Sequence, residues 1–271
     1  MSNRNSQANK SAARERLRAE RERQAKKDKA RRQIIVGVSI VGVLAVVGAG
    51  TWGIMQLNKP SHWEAAKDAK NVTAPKNTSG DNGTTVVIGK SSAKKTLELY
   101  EDSRCPICGT FEQSVGETVH KDVDAGKYKI KYIGATFIDD MSGGEGSKNA
   151  LSALGAALDV SPEAFLDYKA ALYSAKYHPE ETDDKFKDDS YLIKVADSVD
   201  ALKGNAAFQK NVKDGTFDDW AMKMSAAFED SGVKGTPTLK MDGKALTDGQ
   251  SKNAPMTVDA FNTAITAALK G

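Results

Sequence analysis

The chain has 271 residues, a formal net charge of +3 and two cysteines. The first 33 residues carry 12 Lys and Arg against 4 Asp and Glu, so subtracting this +8 from +3 leaves about −5 for the remainder. A mildly acidic remainder excludes a broad basic face of the kind that binds nucleic acid. Two cysteines exclude a disulfide-rich scaffold.

An uncharged apolar run follows this basic arm. No Asp, Glu, Lys or Arg occurs over the 24 residues from Ile34 to Leu57. As a helix the run would be roughly 36 Å long, enough to cross a hydrocarbon core of about 30 Å. Because the cationic residues precede it, the positive-inside rule places the N-terminus in the cytoplasm and the rest outside. We therefore predict a cytoplasmic arm over 1–33 and a single transmembrane helix over 34–57, with Trp52 and Trp63 as interfacial anchors.

Two alternatives remain open for the N-terminal part. A cleaved signal peptide would have an apolar region of about 7–15 residues, shorter than this run. The basic arm could contact nucleic acid, but topology-setting charge beside a membrane helix and attraction to anionic lipid also explain it. No cysteine follows the run directly, which excludes a lipoprotein anchor.

The remaining chain divides into a predicted flexible tether over 58–83 and one folded domain over 84–271. Asn71 to Gly83 is rich in Asn, Thr, Ser and Gly, which is typical of a linker. Within the domain, period-two patterns predict three early strands, and Asp242-Gly243 is a two-residue hairpin signal near the end. The region between, about 139–231, has helical periodicity, with Ser161-Pro162 as a helix start. The predicted strands and flanking helices are Thr85–Gly89, Lys95–Tyr100, a helix over Thr110–Thr118, Lys127–Ile133, the hairpin Thr238–Leu246 and a final helix from Thr257.

The two cysteines form the motif Cys105-Pro106-Ile107-Cys108, between a predicted strand and a predicted helix. A helix N-terminus favours the thiolate of the first cysteine through its dipole and free N–H groups. A second thiol one turn away can resolve a mixed disulfide. Both cysteines belong to one motif, which favours redox cycling over a structural staple.

These features resemble the DsbA/DsbG-like thiol–disulfide oxidoreductases, which have a thioredoxin-like fold. The resemblance lies in the segment from Tyr100 to Cys108 with Phe111-Glu112, in the downstream Gly235-Thr236-Pro237 loop, and in the helical insertion between them. It covers Thr84 to Gly271. It implies an α/β domain with a mixed thioredoxin-like sheet and a helical insertion subdomain, preceded here by the predicted membrane helix.

The resemblance also implies roles for individual residues. Cys105 would be the exposed nucleophile and Cys108 the buried resolving cysteine. Pro237 would be cis and face the pair, and Thr236 would offer backbone groups to an extended substrate. Pro106 and Ile107 would tune the thiolate and contact substrate. No cofactor or metal is implied.

The family's proton-shuttling acid, six residues before the nucleophile, falls on Leu99. Glu98 is adjacent, but strand alternation directs it to the other face. We therefore do not transfer that role. The neighbouring pair Glu101-Asp102 is expected to be a solvated loop or cap, and His120 and His178 are expected on the surface.

The expected activity is disulfide formation in exported polypeptides, with reoxidation by a membrane-embedded, quinone-linked thiol oxidase. Reduction or isomerisation on the same scaffold, and a non-catalytic chaperone-like binding module, are the alternatives. A zinc site would need two more ligands, yet only three scattered histidines are present. A purely structural disulfide in so small a loop is uncommon.

Overall fold

A computed structural model describes residues 61–270. The predicted cytoplasmic arm, the transmembrane helix over 34–57 and the first residues of the tether lie outside the described residues. Within residues 61–270, none of the helices combines the length and the apolar character needed to cross a membrane.

The described part of the expected tether packs against the domain. Its helix α1 (His62–Lys67) begins with a capping box at Ser61 and buries Trp63 and Ala66, which cluster with Met222. The compact unit accordingly begins at Ser61 rather than at Thr84. The difference arises because a few apolar residues fix a segment whose composition is otherwise that of a linker. Trp63, expected as a membrane anchor, is only 7% exposed because it lies in this cluster.

A mixed sheet forms the centre of the described domain. Its strands are β1 (Val86–Ile88), β2 (Thr96–Asp102), β3 (Lys129–Ala135), β4 (Thr238–Met241) and β5 (Lys244–Ala245). The order is β1-β3-β2-β4-β5, with β2 and β3 parallel and the other neighbours antiparallel. The central strand β2 therefore carries the chain directly from the core to the cysteines. The hairpin prediction is confirmed, with positive φ at both Asp242 and Gly243.

The chain becomes helical immediately after the first cysteine. Helix α2 (Pro106–Phe111), a π-helical turn (Glu112–Gly116) and α3 (Glu117–Asp124) follow without interruption. Helix α2 begins four residues before the predicted Thr110, because proline at the first helical position needs no N–H partner and already has a helical φ.

The insertion between β3 and β4 is helical, as predicted over 139–231. Ser161 caps one of its helices by accepting from the Ala164 N–H, with Pro162 at the first position. The insertion and the closing helix comprise α4 (Phe137–Ser142), α5 (Gly146–Val160), α6 (Pro162–Tyr173), α7 (Asp189–Ala196), α8 (Ala206–Lys213), α9 (Asp218–Asp230) and the C-terminal α10 (Val258–Lys270).

Candidate active site

The two cysteines occupy different environments at the start of α2. Cys105 is the N-cap residue, with an extended backbone. The prediction that it is exposed is wrong: it is 6% exposed because it packs with Ile138 and Tyr173, whereas Cys108 lies inside the helix and is fully buried. Both are free thiols. Strand β2 delivers the first cysteine to the helix start, and Pro106 begins the helix behind it. The fold therefore places one sulfur at the edge of the core and its partner beneath it.

The geometry favours ionisation of the outer sulfur. A hydrogen bond from the Cys108 thiol, with further help from Thr236 and the N–H groups of Cys108 and Ile107, lowers the pKa of Cys105 to about 6. Burial, followed by the hydrogen bond to Cys105 and the nearby carboxyl of Glu101, raises the pKa of Cys108 well above its usual value. At neutral pH the pair is therefore one thiolate and one thiol, which is the arrangement that nucleophilic exchange requires.

The loop before β4 faces the outer sulfur. The Thr236–Pro237 peptide bond is cis, as predicted, and the Sγ atom of Cys105 lies 3.5 Å from the carbonyl oxygen of Thr236. Ile107, 55% exposed, lines a groove of about 360 Å³ together with Thr236 and Pro237. Pro106 is exposed but is not among the residues that line this groove. Of the predicted substrate-binding residues, the structure thus brings Ile107, Thr236 and Pro237 together.

A buried carboxyl lies two residues beyond the position of the family's acid. Leu99 is a core residue, and the carboxylate of Glu98 accepts a hydrogen bond from the Tyr100 hydroxyl on the opposite face of β2. Glu101, which was expected in solvent, is fully buried. Burial raises its pKa to about 7, which the cation of Lys169 partly opposes.

A strand-based signal for this acid exists in the sequence. Leu97, Leu99 and Glu101 alternate along one face of β2, so a strand extended by two residues would have placed Glu101 on the buried face. The predicted strand ended at Tyr100, two residues before the end of β2.

Glu101 belongs to a buried ionic cluster that the sequence analysis missed. The Nζ atom of Lys169, on α6, lies 3.1 Å from Oε2 of Glu101 and 2.5 Å from Oε2 of Glu112. Lys169 is 1% exposed. The two buried carboxylates raise the pKa of Lys169 despite the opposing effect of burial. Lys169 thus provides a cationic partner for both buried carboxylates.

A second network fixes the segment that leads into Cys105. The Asp102 carboxylate accepts from the Ser147 hydroxyl at 2.6 Å and from the Arg104 and Ile138 N–H groups. Burial raises the pKa of Asp102 to about 7. The Nη1 atom of Arg104 lies 2.7 Å from Oδ1 of Asp139. The helical insertion therefore holds the approach to the motif in place.

His178 also lies beside the motif rather than in solvent. Its ring stacks on Tyr173 at 5.5 Å, and its Nε2 is 3.1 Å from the Ser103 carbonyl oxygen. Tyr173 packs with both cysteines and donates a hydrogen bond to the Asp102 carbonyl oxygen. These contacts bring the insertion loop around 174–187 against the back of the cysteine pair.

Metal binding finds no support within residues 61–270. No group of three or more His, Cys, Asp or Glu side chains in that range could hold a metal ion.

Comparison with known proteins identifies a matching family model and several similar proteins. A family model described as Thioredoxin matches residues 81–267. The serine/threonine-protein kinase PknE of Mycobacterium tuberculosis is 26% identical over 171 residues, which are 61% of this chain and 30% of the kinase. The chain thus spans less than a third of that relative's length.

Two further similarities concern proteins whose names refer to disulfides. Disulfide bond formation protein D of Bacillus subtilis is 24% identical over 161 residues, or 59% of this chain and 68% of that protein. The solved structure of the reduced form of the disulfide bond oxidoreductase DsbG from Mycobacterium tuberculosis superposes with a TM-score of 0.54 at 27% identity. It covers 69% of this chain and 94% of that one.

Proposed function

The chain belongs to the thioredoxin family whose model spans residues 81–267, and on that premise we propose that it is a thiol–disulfide oxidoreductase acting through Cys105 and Cys108. The proposal depends mainly on the difference between the two cysteines: the thiol of Cys105 has a pKa of about 6, and the thiol of Cys108 is fully buried. Similarity to proteins named for disulfide chemistry supports it.

The reaction follows from this division. A substrate thiolate attacks the Cys105 sulfur of the disulfide form, the bond between the two cysteines breaks, and Cys108 leaves as a thiolate. Glu101 supplies the proton that Cys108 then requires. A second substrate thiolate attacks the substrate sulfur of the mixed disulfide and releases Cys105, whose low pKa makes it a good leaving group. Two electrons pass from the substrate to the cysteine pair.

Substrate binding would use the groove beside the cis-proline. The backbone of Thr236 faces the Cys105 sulfur, and exposed Ile107 offers an apolar contact. An extended polypeptide segment could add to this edge through main-chain hydrogen bonds. Reduced, unfolded polypeptides are the substrates that present such segments.

We further propose that the chain works outside the cytoplasm, anchored by the predicted helix over 34–57. The basic arm before that run supports this topology. In such a compartment the pair would donate disulfides to exported polypeptides and be reoxidised by a membrane-embedded, quinone-linked thiol oxidase. Fusion of a reporter enzyme after residue 271, active only on one side of the membrane, tests the location.

Trapping tests the chemistry. A Cys108→Ser variant cannot resolve a mixed disulfide. When its Cys105 thiolate attacks the disulfide of an oxidised polypeptide, the adduct should therefore persist on Cys105 until a reducing agent releases it. The Cys105→Ser variant is the matched control and should trap none. Absence of adducts in the first variant would favour the non-catalytic binding module.

The direction of electron flow needs a separate measurement. A pair that is mostly oxidised in cells, with a potential near the oxidising end of the range from about −270 to −120 mV, supports disulfide donation. A mostly reduced pair would support the reductase or isomerase alternative.

A further inference from the structure

Cys108 presents a proton-transfer problem, and the inference that follows rests on the proposed function. The residue is fully buried, yet in each cycle its thiolate must gain one proton on reduction and lose it on reoxidation. Glu101 can exchange that proton with Cys108, but Glu101 is itself fully buried. A route to water beyond Glu101 is therefore required.

A line of titratable groups leads from Glu101 towards the surface. Lys169 bridges Glu101 and Glu112, and Oε1 of Glu112 lies 3.6 Å from Nε2 of His120. The His120 side chain is 23% exposed, whereas the Glu112 side chain is 6% exposed. The line thus begins below Cys108 and ends at a partly solvated imidazole, which is not among the residues lining the groove beside Pro237.

The backbone is shaped to hold Glu112 in this position. Glu112 begins the π-helical turn that ends at Gly116. Such turns are rare in proteins overall, and those that occur are often found at functional sites. A Cβ atom at position 116 would come within 2.6 Å of the Glu112 carboxyl carbon. The glycine therefore leaves room for the carboxylate to point inward instead of to solvent.

Some of the unpaired buried polar atoms lie along this line, whereas Arg104 Nε, Asp218 Oδ1 and Thr236 Oγ1 lie elsewhere. Among the described residues, Oε1 of Glu101, Nε2 of His120 and the Tyr132 hydroxyl are buried without a hydrogen-bond partner. Buried polar atoms are ordinarily paired, so each such exception calls for an explanation. Groups that exchange protons with their neighbours or with a bridging water provide one.

We propose that Glu112 and His120 carry the proton between the Glu101–Lys169 pair and solvent. On reduction, Glu101 gives a proton to the Cys108 thiolate, and Lys169 gives its proton to the Glu101 carboxylate. The Glu112 carboxylate then receives a proton that His120 has taken from water and passes it to the neutral Lys169 amine. On reoxidation each transfer runs in reverse. One proton enters or leaves, and the charge of Lys169 is unchanged at the end.

The charges around His120 are compatible with this role. Glu112 on the π-helical turn, Lys169 and Asp167 on α6, and Asp124 on α3 all act on the ring. Burial lowers the pKa of His120, and the carboxylates oppose that effect. The imidazole is therefore mostly neutral at pH 7, so that one ring nitrogen can accept a proton while the other gives its proton up.

The test uses the full chain in its disulfide form and a reduced dithiol peptide, with the reduction rate followed against pH. At low buffer concentration we expect His120→Asn to slow the reaction about 10-fold, since a lost general acid–base group costs this much or more. Added imidazole should restore the rate of His120→Asn. The reduction rate of Glu112→Gln should be lowered to a similar extent. Added imidazole should not restore that rate, because the missing carboxylate lies inside the protein, where imidazole cannot replace it. His62 is another histidine beside a carboxylate. The His62→Asn variant is the matched control, and its reduction rate should equal that of the unaltered chain.

Two results would overturn the relay. One is a His120→Asn rate equal to that of the unaltered chain at every imidazole concentration and pH. The other is a slowed rate that imidazole does not restore, which indicates a structural role. Adduct trapping by Cys108→Ser does not require protonation of Cys108, so trapping with an unchanged His120→Asn rate rejects the relay alone. Loss of trapping rejects the proposed function itself.

Discussion

The Sγ atom of Cys105 lies 3.5 Å from the carbonyl oxygen of Thr236, across the cleft between the helix start and the cis-proline loop. These two residues are separated by 131 positions in the chain, and the sheet brings them together because β2 and β4 are neighbours. The proposed nucleophile and the backbone proposed to bind an extended peptide therefore share one edge of the sheet. The site depends on strand pairing as much as on the cysteine motif.

The outer thiol should ionise well below the usual range for cysteine. With a pKa of about 6 for Cys105, its alkylation rate should reach a plateau by about pH 7. Cys108 should remain unmodified until the protein unfolds, because it is fully buried. Iodoacetamide kinetics on the reduced chain from pH 4 to 9, with the modified residue identified by mass spectrometry, checks both points. A midpoint above pH 8 contradicts the assignment.

Removing the inner thiol should raise that midpoint. The Cys108 thiol is the largest contributor to the low pKa of Cys105, and a hydrogen bond to a charged group is worth about 1.5–3 kcal/mol. Since 1.36 kcal/mol equals one pKa unit, Cys108→Ala should shift the alkylation midpoint upward by about 1–2 units. The same alkylation series measures it. An unchanged midpoint would mean that the helix N-terminus alone stabilises the thiolate.

Glu101 should make stability depend on pH in a defined direction. Its folded-state pKa of about 7 exceeds the ordinary 4.5, so between these values the folded protein binds the proton more tightly than the unfolded chain. Stability from this group is therefore present at low pH and declines as pH rises towards 7. Glu101→Gln removes this decline. The free energy of unfolding of the variant minus that of the unaltered chain should therefore be about 1–3 kcal/mol larger at pH 8 than at pH 5.

Urea unfolding at the two pH values measures that difference. The exposed Glu163 provides the control, and Glu163→Gln is measured at the same two pH values. Equal effects of Glu101→Gln at both pH values would show that the buried carboxyl does not titrate in this range. The same variant should slow thiol exchange, since it cannot supply the Cys108 proton.

Lys169 should be far more important for stability than an exposed lysine. Lys169→Met leaves two buried carboxylates without their shared cation, and breaking such a buried arrangement costs about 3–5 kcal/mol. Lys121, which pairs with Glu117 at the surface and is 72% exposed, is the matched control. Lys121→Met should change the free energy of unfolding by less than about 0.5 kcal/mol. Similar denaturation midpoints for the two variants would contradict the buried cluster.

Local sequence patterns predicted the elements whose signals are short-range. The Asp242-Gly243 turn and the Ser161-Pro162 helix start are present because each needs only the backbone preferences of its own residues. The cysteine motif and the cis-proline were likewise found, through spacing and through the family resemblance. What these patterns fix is local geometry, not the neighbours that a residue acquires through folding.

The buried ionic cluster could not be predicted in the same way. Glu101, Glu112 and Lys169 come from a strand, a π-helical turn and a helix of the insertion, and only the tertiary fold brings them together. Charged residues are seldom fully buried, so composition favours solvent for each one separately. Their mutual pairing reverses that preference, and a single sequence does not contain a signal for it.

The segment over 61–83 was predicted to be a flexible tether, but a few apolar residues are enough to pack it against the domain. Trp63 clusters with Ala66 and Met222, and the Trp220 indole N–H donates to the Gly83 carbonyl oxygen at 2.8 Å. Trp63→Ala should therefore lower the free energy of unfolding by about 3 kcal/mol, as large-to-small changes at buried aromatic residues do. The exposed Lys70 provides the control through Lys70→Ala, which should have almost no effect. Protease cleavage within 61–83 should also accelerate in the Trp63 variant. If both variants unfold at the same denaturant concentration, this segment contributes nothing to the folded unit and is the flexible tether that its composition suggested.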